Sequence, residues 1–259
     1  MEHDELIRRE FARQAGTFED ARLNDAFTRH LARLADFAAP QPDDVCLDVA
    51  CGTGLVARAL APRVRHVTAL DLTPQMLATG KVAADRDGLR NLVFQEGDAT
   101  RLPFLSASFD LVVTRFSLHQ VSEPESVVSE LVRVCRPGSR VVVADLIRDP
   151  TLPGDPDRVE RLRDPSHGTM LTVERITELL ARAGATLETA DVFPVERPLT
   201  TWLEQSRTPA DVSAAIAEQL RTELDGGTPT GMRPRAAGDD LMFTQTWAHL
   251  LARLPRPAG

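Results

Sequence analysis

Five short apolar runs separated by helical or turn-rich intervals are the feature that most restricts what this chain can fold into. Val45-Cys-Leu-Asp-Val-Ala50, His66-Val-Thr-Ala-Leu-Asp71, Leu92-Val-Phe-Gln-Glu96, Phe109-Asp-Leu-Val-Val-Thr114 and Arg140-Val-Val-Val-Ala-Asp145 have the length and composition of buried strands. The intervals carry helix signals. A helix runs from Leu55 to about Ala61, another begins at Thr73-Pro74 with Thr as N-cap and Pro at the first position, and a third covers Ser122 through Cys135 before Pro137-Gly138. Strict alternation of strand and helix predicts a parallel sheet with helices on both faces, a doubly wound α/β fold.

The flanking segments read differently. Leu23, Phe27, Leu31, Leu34 and Phe37 recur every three or four residues, which predicts two helices in an N-terminal cap over 1–39, ended by Pro40 and Pro42. After Leu146 the rhythm breaks: residues 149–170 hold four prolines and two glycines and read as a loop or lid. A helix over Thr172–Ala183 and a strand near Thr186–Phe193 resume the pattern, so the core spans 40–195. Residues 196–240 form a polar, partly helical lid insertion with a Gly226-Gly227-Thr-Pro-Thr-Gly231 loop. Residues 241–259 close the chain, and both strand and helix fit their pattern.

A chain of 259 residues can bury one α/β core plus a cap. The formal charge of -8 argues against nucleic acid as a partner, because binding phosphates needs a surplus of Lys and Arg. There is no apolar run near 18 residues, and the acidic start Met1-Glu2-His3-Asp4-Glu5 is unlike a signal peptide, so no membrane association is expected. Cys46, Cys51 and Cys135 form no Cys-x-x-Cys pair and read as reduced thiols of a cytoplasmic protein. No Cys/His spacing of a zinc site occurs, so no metal is expected. The chain has no tyrosine, and Lys81 is its only lysine, which excludes a Tyr acid and the Tyr–Lys pair of short-chain dehydrogenases.

A strand that runs into Gly52-x-Gly54 and then a helix aims backbone N–H groups and a positive helix end at a ligand. Gly52-Thr-Gly54-Leu-Val-Ala57 satisfies G-x-G-x-x-A, and Asp71 ends the next strand, so the glycines alone fit a dinucleotide as well as S-adenosylmethionine. Asp48 favours the second. A carboxylate inside the first strand is costly unless a cation meets it; a sulfonium amino acid supplies one, whereas pyrophosphate would be repelled. Gly97-Asp98-Ala99 sets another acid at the same edge of the sheet, where ligands of such folds bind.

Asp48-Val-Ala-Cys-Gly-Thr-Gly54, Ala69-Leu-Asp71, Gly97-Asp98-Ala99 with Leu102-Pro103-Phe104, and Ser108-Phe-Asp110 resemble the successive motifs of class I S-adenosylmethionine-dependent methyltransferases. With Leu118-His119 and Leu131-Val-Arg-Val-Cys-Arg-Pro-Gly138, the chain is similar to the type 11 domain and to the ubiquinone/menaquinone branch. The resemblance implies a Rossmann-like, mostly parallel seven-stranded sheet with S-adenosylmethionine as cofactor. It further implies that Asp48, Ala50, Gly52 and Gly54 lie at the methionine part, Asp71 on the ribose hydroxyls and Leu72 and Met76 beside the adenine. Gly97, Asp98 and Ala99 would meet the adenine edge, and Arg115 and Phe116 would border the methionine end. The leading segment with Phe11, Gln14 and Phe18 looks like one that folds over the cofactor in this family, with Phe18 where many relatives carry tyrosine.

His119, just past the fourth strand, and His167, in the lid segment, are candidates for taking a proton from the acceptor. Trp202, Met232, Met242, Phe243 and Trp247 suit an acceptor pocket and a core equally. The expectation is methyl transfer to an O, N, S or C nucleophile of a small molecule, in secondary metabolism or quinone-type biosynthesis, by a monomer or homodimer. The alternatives are an NAD(P)-dependent oxidoreductase, or the same fold recruited for non-methylating chemistry such as a pericyclase.

Overall fold

The computed structural model describes residues 2–238 and 240–256. The first residue of the cap, residue 239 of the insertion and the last three residues of the closing element lie outside the described residues.

All five apolar runs are strands: β1 (Val45–Val49), β2 (His66–Asp71), β3 (Leu92–Glu96), β4 (Phe109–Arg115) and β5 (Cys135–Leu146). They pair in parallel in the order β3-β2-β1-β4-β5. The helices α4 (Leu55–Leu60), α5 (Pro74–Arg86) and α6 (Pro124–Val134) connect them, with a 3-10 turn at Ala61–Arg63 after α4. Side chains alternate across the sheet. Leu47, Val49, Val112, Val141 and Val143 bury on one face beneath α6, and Cys46, Val67, Leu111, Val113 and Val142 on the other beneath α4.

Beyond β5 the chain adds α7 (Pro156–Arg163), α8 (Val173–Arg182), β6 (Thr186–Pro198), α9 (Leu199–Gln205), α10 (Ala210–Leu224), β7 (Arg235–Ala237) and β8 (Asp240–Arg253). The closing element is therefore a strand. It inserts antiparallel between β5 and β6, giving seven strands in one continuous order, with short β7 paired to the far end of β8. A helix over Leu241–Leu254 would have left β5 an open edge in the middle of the apolar layers; pairing satisfies those backbone groups instead.

The ladder of β5 with β8 ends at Leu146–Trp247, while β6 and β8 continue pairing to Pro198–Met242. These two strands overhang the carboxyl edge of the parallel sheet as a ribbon, and α9 and α10 hang from it. The insertion has a core of its own, formed by Val159, Trp202, Ile216, Leu220, Met232 and Phe243 among others. The segment 149–170 was expected to be a loop, and it holds a helix: Pro156 starts α7 and the Asp155 side chain accepts from Arg158 N. Val159 then anchors that helix in the insertion core.

The cap has three helices rather than two: α1 (Glu2–Gln14), α2 (Asp25–Arg29) and α3 (Leu31–Phe37). Arg13 donates to the carbonyls of Ser206 and Arg207, and Thr17 Oγ1 to that of Gln205, so the cap is tied to the end of α9. Cap and insertion thus meet above the carboxyl edge of the sheet. Among the described residues no helix is long and apolar enough to cross a membrane.

Candidate active site

A large cavity opens at that edge, between the cap, the glycine loop and the insertion. Its floor is built from strand ends. Asp48 and Ala50 come from β1, Cys51, Gly52 and Thr53 from the loop, Asp71 and Leu72 from β2, and Gly97, Asp98 and Ala99 follow β3. Arg115 and Phe116 end β4. Two non-glycine residues here, Ala50 and Phe116, adopt φ of 55° and 53°. Such conformations cost on the order of 1 kcal/mol and persist where the surroundings impose them.

Asp48 is 1% exposed. Its Oδ2 accepts from Ala57 N in the first turn of α4 at 2.9 Å, and its Oδ1 is a buried oxygen without a partner among the described residues. Burial pushes its carboxyl up to about 7, against the backbone N–H of Ala57 and the guanidinium of Arg115, which favour the charged form. An orphaned acceptor in a cavity wall is what an ammonium group satisfies, so the donor set fits the amino-acid end of the expected cofactor. Arg115 donates from Nη2 to Phe27 O at 2.7 Å; burial lowers its pKa to about 10, and Asp48 opposes the shift.

Asp71 bridges the loop and the next helix. One oxygen accepts from Gly52 N at 2.7 Å and the other from Thr73 N at 2.8 Å. Burial raises its pKa, and these N–H groups counter the rise. Gly52 takes φ of +56°, and a Cβ there would meet nothing within 4 Å, which leaves its backbone open to a ligand. Asp98 is exposed; its Oδ1 accepts from Thr100 N and Oγ1 at 2.8 and 2.7 Å, which turns the chain after β3. The Cys51 thiol is raised well above its ordinary range by burial and by Asp71 and Asp48, so it is no nucleophile.

Not every expected residue reaches the cavity. Met76 is fully buried in α5, so of the two residues expected beside the adenine only Leu72 lines the wall. Gly54 caps α4 at φ of 74°, facing the Phe94 ring rather than the cavity. Trp202, Met232 and Phe243 belong to the insertion core, while Trp247 packs against Phe27 and Phe116 behind the wall. Phe11, Gln14 and Phe18 all line the roof, and Gln14 Nε2 donates to Asp164 Oδ2 at the end of α7.

The two histidines separate. His119 lines the cavity and is 5% exposed. Its Nδ1 bonds Asp145 Oδ1 at 2.5 Å, and Asp145 is fixed in turn by the N–H groups of Leu118 and Leu146. Burial alone would lower the His119 pKa; the adjacent Asp145 carboxylate overrides it and raises it. With Nδ1 as donor, Nε2 is the acceptor, and the Gln120 amide donates to it at 3.2 Å. His167 does not line the cavity. Its Nε2 bonds Asp157 Oδ1 at 2.6 Å, its ring lies 5.4 Å behind that of His119, and the following N–H groups of Gly168 and Thr169 donate to His119 O. It holds the segment that holds His119.

Asp145 is the residue that sequence reading passed over. It is among the last two residues of an apolar strand, as Asp48 and Asp71 are, and the same question of what meets its charge would have found it. Arg163, Arg197, Gln205 and Gln245 also line the cavity, but they come from α7, β6, α9 and β8 and have no common motif. One packing contact bears on the loop from outside: a Cβ on Gly80 of α5 would lie 2.4 Å from Thr53 O. Gly80→Ala is expected to push the loop off its course and weaken S-adenosylhomocysteine binding about 10-fold or more, a loss of 1–3 kcal/mol from overpacking. Calorimetry on the variant checks this, and an unchanged Kd would refute it.

Residues 47–143 match the family described as Methyltransferase domain. Over 194 residues the chain is 31% identical to the 27-O-demethylrifamycin SV methyltransferase of Amycolatopsis mediterranei, covering 71% of this chain and 69% of that protein. It is 37% identical over 149 residues to the demethylmenaquinone methyltransferase of Beutenbergia cavernae, covering 54% of this chain and 60% of that one. A solved structure of a protein assigned as a methyltransferase from Bacillus halodurans superposes with a TM-score of 0.77 at 26% identity, over 87% of this chain and 98% of that one. Fold and edge-of-sheet site define a class I methyltransferase. The chain belongs to this S-adenosylmethionine-dependent methyltransferase family.

Proposed function

We propose that the protein methylates a hydroxyl group of a small acceptor, with His119 as the base, and the observation that carries this is the buried His119–Asp145 pair on the cavity wall. S-adenosylmethionine, when bound, supplies a methyl group already activated on a sulfonium. Asp48 would hold its ammonium, Asp71 its ribose hydroxyls, Leu72 its adenine face, and Asp98 and Ala99 the adenine edge. Asp98 suits that role because both bonds its carboxylate accepts among the described residues fall on Oδ1, leaving Oδ2 for the amino group.

The chain's remaining work is alignment and dryness. The cap residues Phe11, Gln14 and Phe18 close the cavity from above, and α7 and α9 from the side. Holding two reactants in line is worth up to about 7–11 kcal/mol. His119 Nε2 exchanges the Gln120 amide for the acceptor hydroxyl and takes its proton, while Asp145 stabilises the imidazolium that results. A reducing, cytoplasmic setting is supported by three unpaired cysteines.

The test is to incubate methyl-labelled S-adenosylmethionine and the protein with small-molecule extracts and identify labelled products by mass. An O-methyl ether is expected. Label found only on carbon, nitrogen or sulfur would overturn the hydroxyl assignment.

A further inference from the structure

Three guanidinium groups face the cavity, and two are committed. Arg115 donates to Phe27 O and stands near Asp48. Arg163 donates to Trp202 O and pairs with Glu160 at 3.0 Å. Arg197, near the overhanging end of β6, differs. It is 3% exposed, and among the described residues its side chain has one bond, from Nη2 to the neutral amide oxygen of Gln205 at 3.0 Å. Among those residues it makes no ion pair. Its guanidinium carbon lies 4.8 Å from the centre of the Phe27 ring, which offers partial compensation. Glu160, the acid that acts on it through space, is already shared between Arg163 and the Gln245 amide.

A buried cation with one neutral acceptor is an expensive arrangement unless something anionic arrives. Burial, with Arg163 and Arg115 adding to it, lowers the Arg197 pKa to about 9, so the group remains charged at neutral pH. Its surroundings describe what could arrive. Phe27 is one of a row of rings, with Phe18 at 6.4 Å and Phe116 at 5.0 Å between centroids, and all three line the cavity.

Building on the methyltransferase reading above, we infer that the acceptor is an apolar, ring-bearing carboxylate whose carboxylate docks on Arg197 while its body lies along Phe18, Phe27 and Phe116. The planar fork of Arg197 accepts a carboxylate through two parallel N–H bonds, and Gln205 holds the fork in place. Acceptors with a neutral group in that position leave the guanidinium buried and unpaired, so they are selected against.

Binding to the S-adenosylhomocysteine-loaded protein tests this with biphenyl-4-carboxylate and its carboxamide as probes. Wild type is expected to prefer the carboxylate by about 10–100-fold, the value of a charged over a neutral hydrogen bond. Arg197→Gln should abolish the preference and Arg197→Lys retain part of it, with S-adenosylhomocysteine affinity unchanged in both. Equal binding of the two probes by wild type, no binding of either, or a preference that survives in Arg197→Gln overturns the inference. So does a drop in S-adenosylhomocysteine affinity in Arg197→Gln, which would assign the arginine to the cofactor's own carboxylate. Wild type that does not bind S-adenosylhomocysteine at all would instead remove the cofactor-site reading on which this rests.

Discussion

Asp48→Asn will weaken S-adenosylhomocysteine binding by about 10²–10³-fold, the scale of removing one partner of a buried ion pair, while making the free protein more stable. Both effects have one origin. The carboxyl is almost wholly buried, one oxygen is orphaned, and burial raises its pKa to about 7. In the unfolded chain the same group titrates near its ordinary value of about 3.9. A raised folded-state pKa means that the fold prefers the protonated form. The associated stability is complete at low pH and is lost as pH rises through 7. Asparagine removes that loss and still accepts from Ala57 N, so the thermal midpoint of the free variant should exceed wild type most clearly above pH 7. Binding runs the other way, because an ammonium beside Asp48 favours the carboxylate. Wild-type affinity should fall by up to about tenfold per pH unit below 7 and level off above it. Calorimetry across pH 5.5–8.5 with thermal melts checks both. An Asn variant that binds as wild type does, with the same pH slope, refutes the assignment of Asp48.

Loss of the base should be the second large effect. His119→Ala is expected to lower kcat by about 10²–10⁴-fold with little change in S-adenosylhomocysteine affinity. The pH profile separates a base from a merely structural histidine. Asp145 raises the His119 pKa above its ordinary value, and a base must be neutral to act, so kcat should rise with pH through a midpoint above about 6.5. In Asp145→Asn burial acts without the opposing charge, and the midpoint should move to lower pH. The plateau should fall as well, since Nδ1 no longer fixes the ring. A His119→Ala enzyme with full kcat, or an Asp145→Asn profile with an unmoved midpoint, would remove His119 from the chemistry. His167→Ala gives the contrast. Its ring supports the segment bonded to His119 O, so thermal stability should suffer more than the pH profile.

The parallel half of the sheet and the glycine loop with the acids beside it at the carboxyl edge were legible in the sequence because both are local. A strand, a glycine turn and a helix are contiguous, and the acids Asp48, Asp71 and Asp98 fall at strand ends whose order alternation alone implies. The closing segment was not legible. Leu241–Leu254 satisfies helix and strand patterns alike, and only its place between β5 and β6 decides, through backbone groups that would otherwise lie unpaired. Met76 and His167 show the same limit at single residues. Each has a suitable type and position along the chain, yet one is on the buried side of α5 and the other is claimed by Asp157.

The cavity wall built from the later elements was least visible of all. Arg163, Arg197, Gln205 and Gln245 come from four separate elements, and Phe27, read from its spacing as part of a helix face, becomes the ring beneath Arg197. From its sequence alone, the chain determined its class and which loop and acids gather at the carboxyl edge of the sheet, since those depend on motifs that fold as units. Which histidine lines the cavity, and what charge the cavity's far wall presents, depend on contacts between residues far apart in the chain. Only packing, which commits some polar groups to partners and leaves others free, decided them.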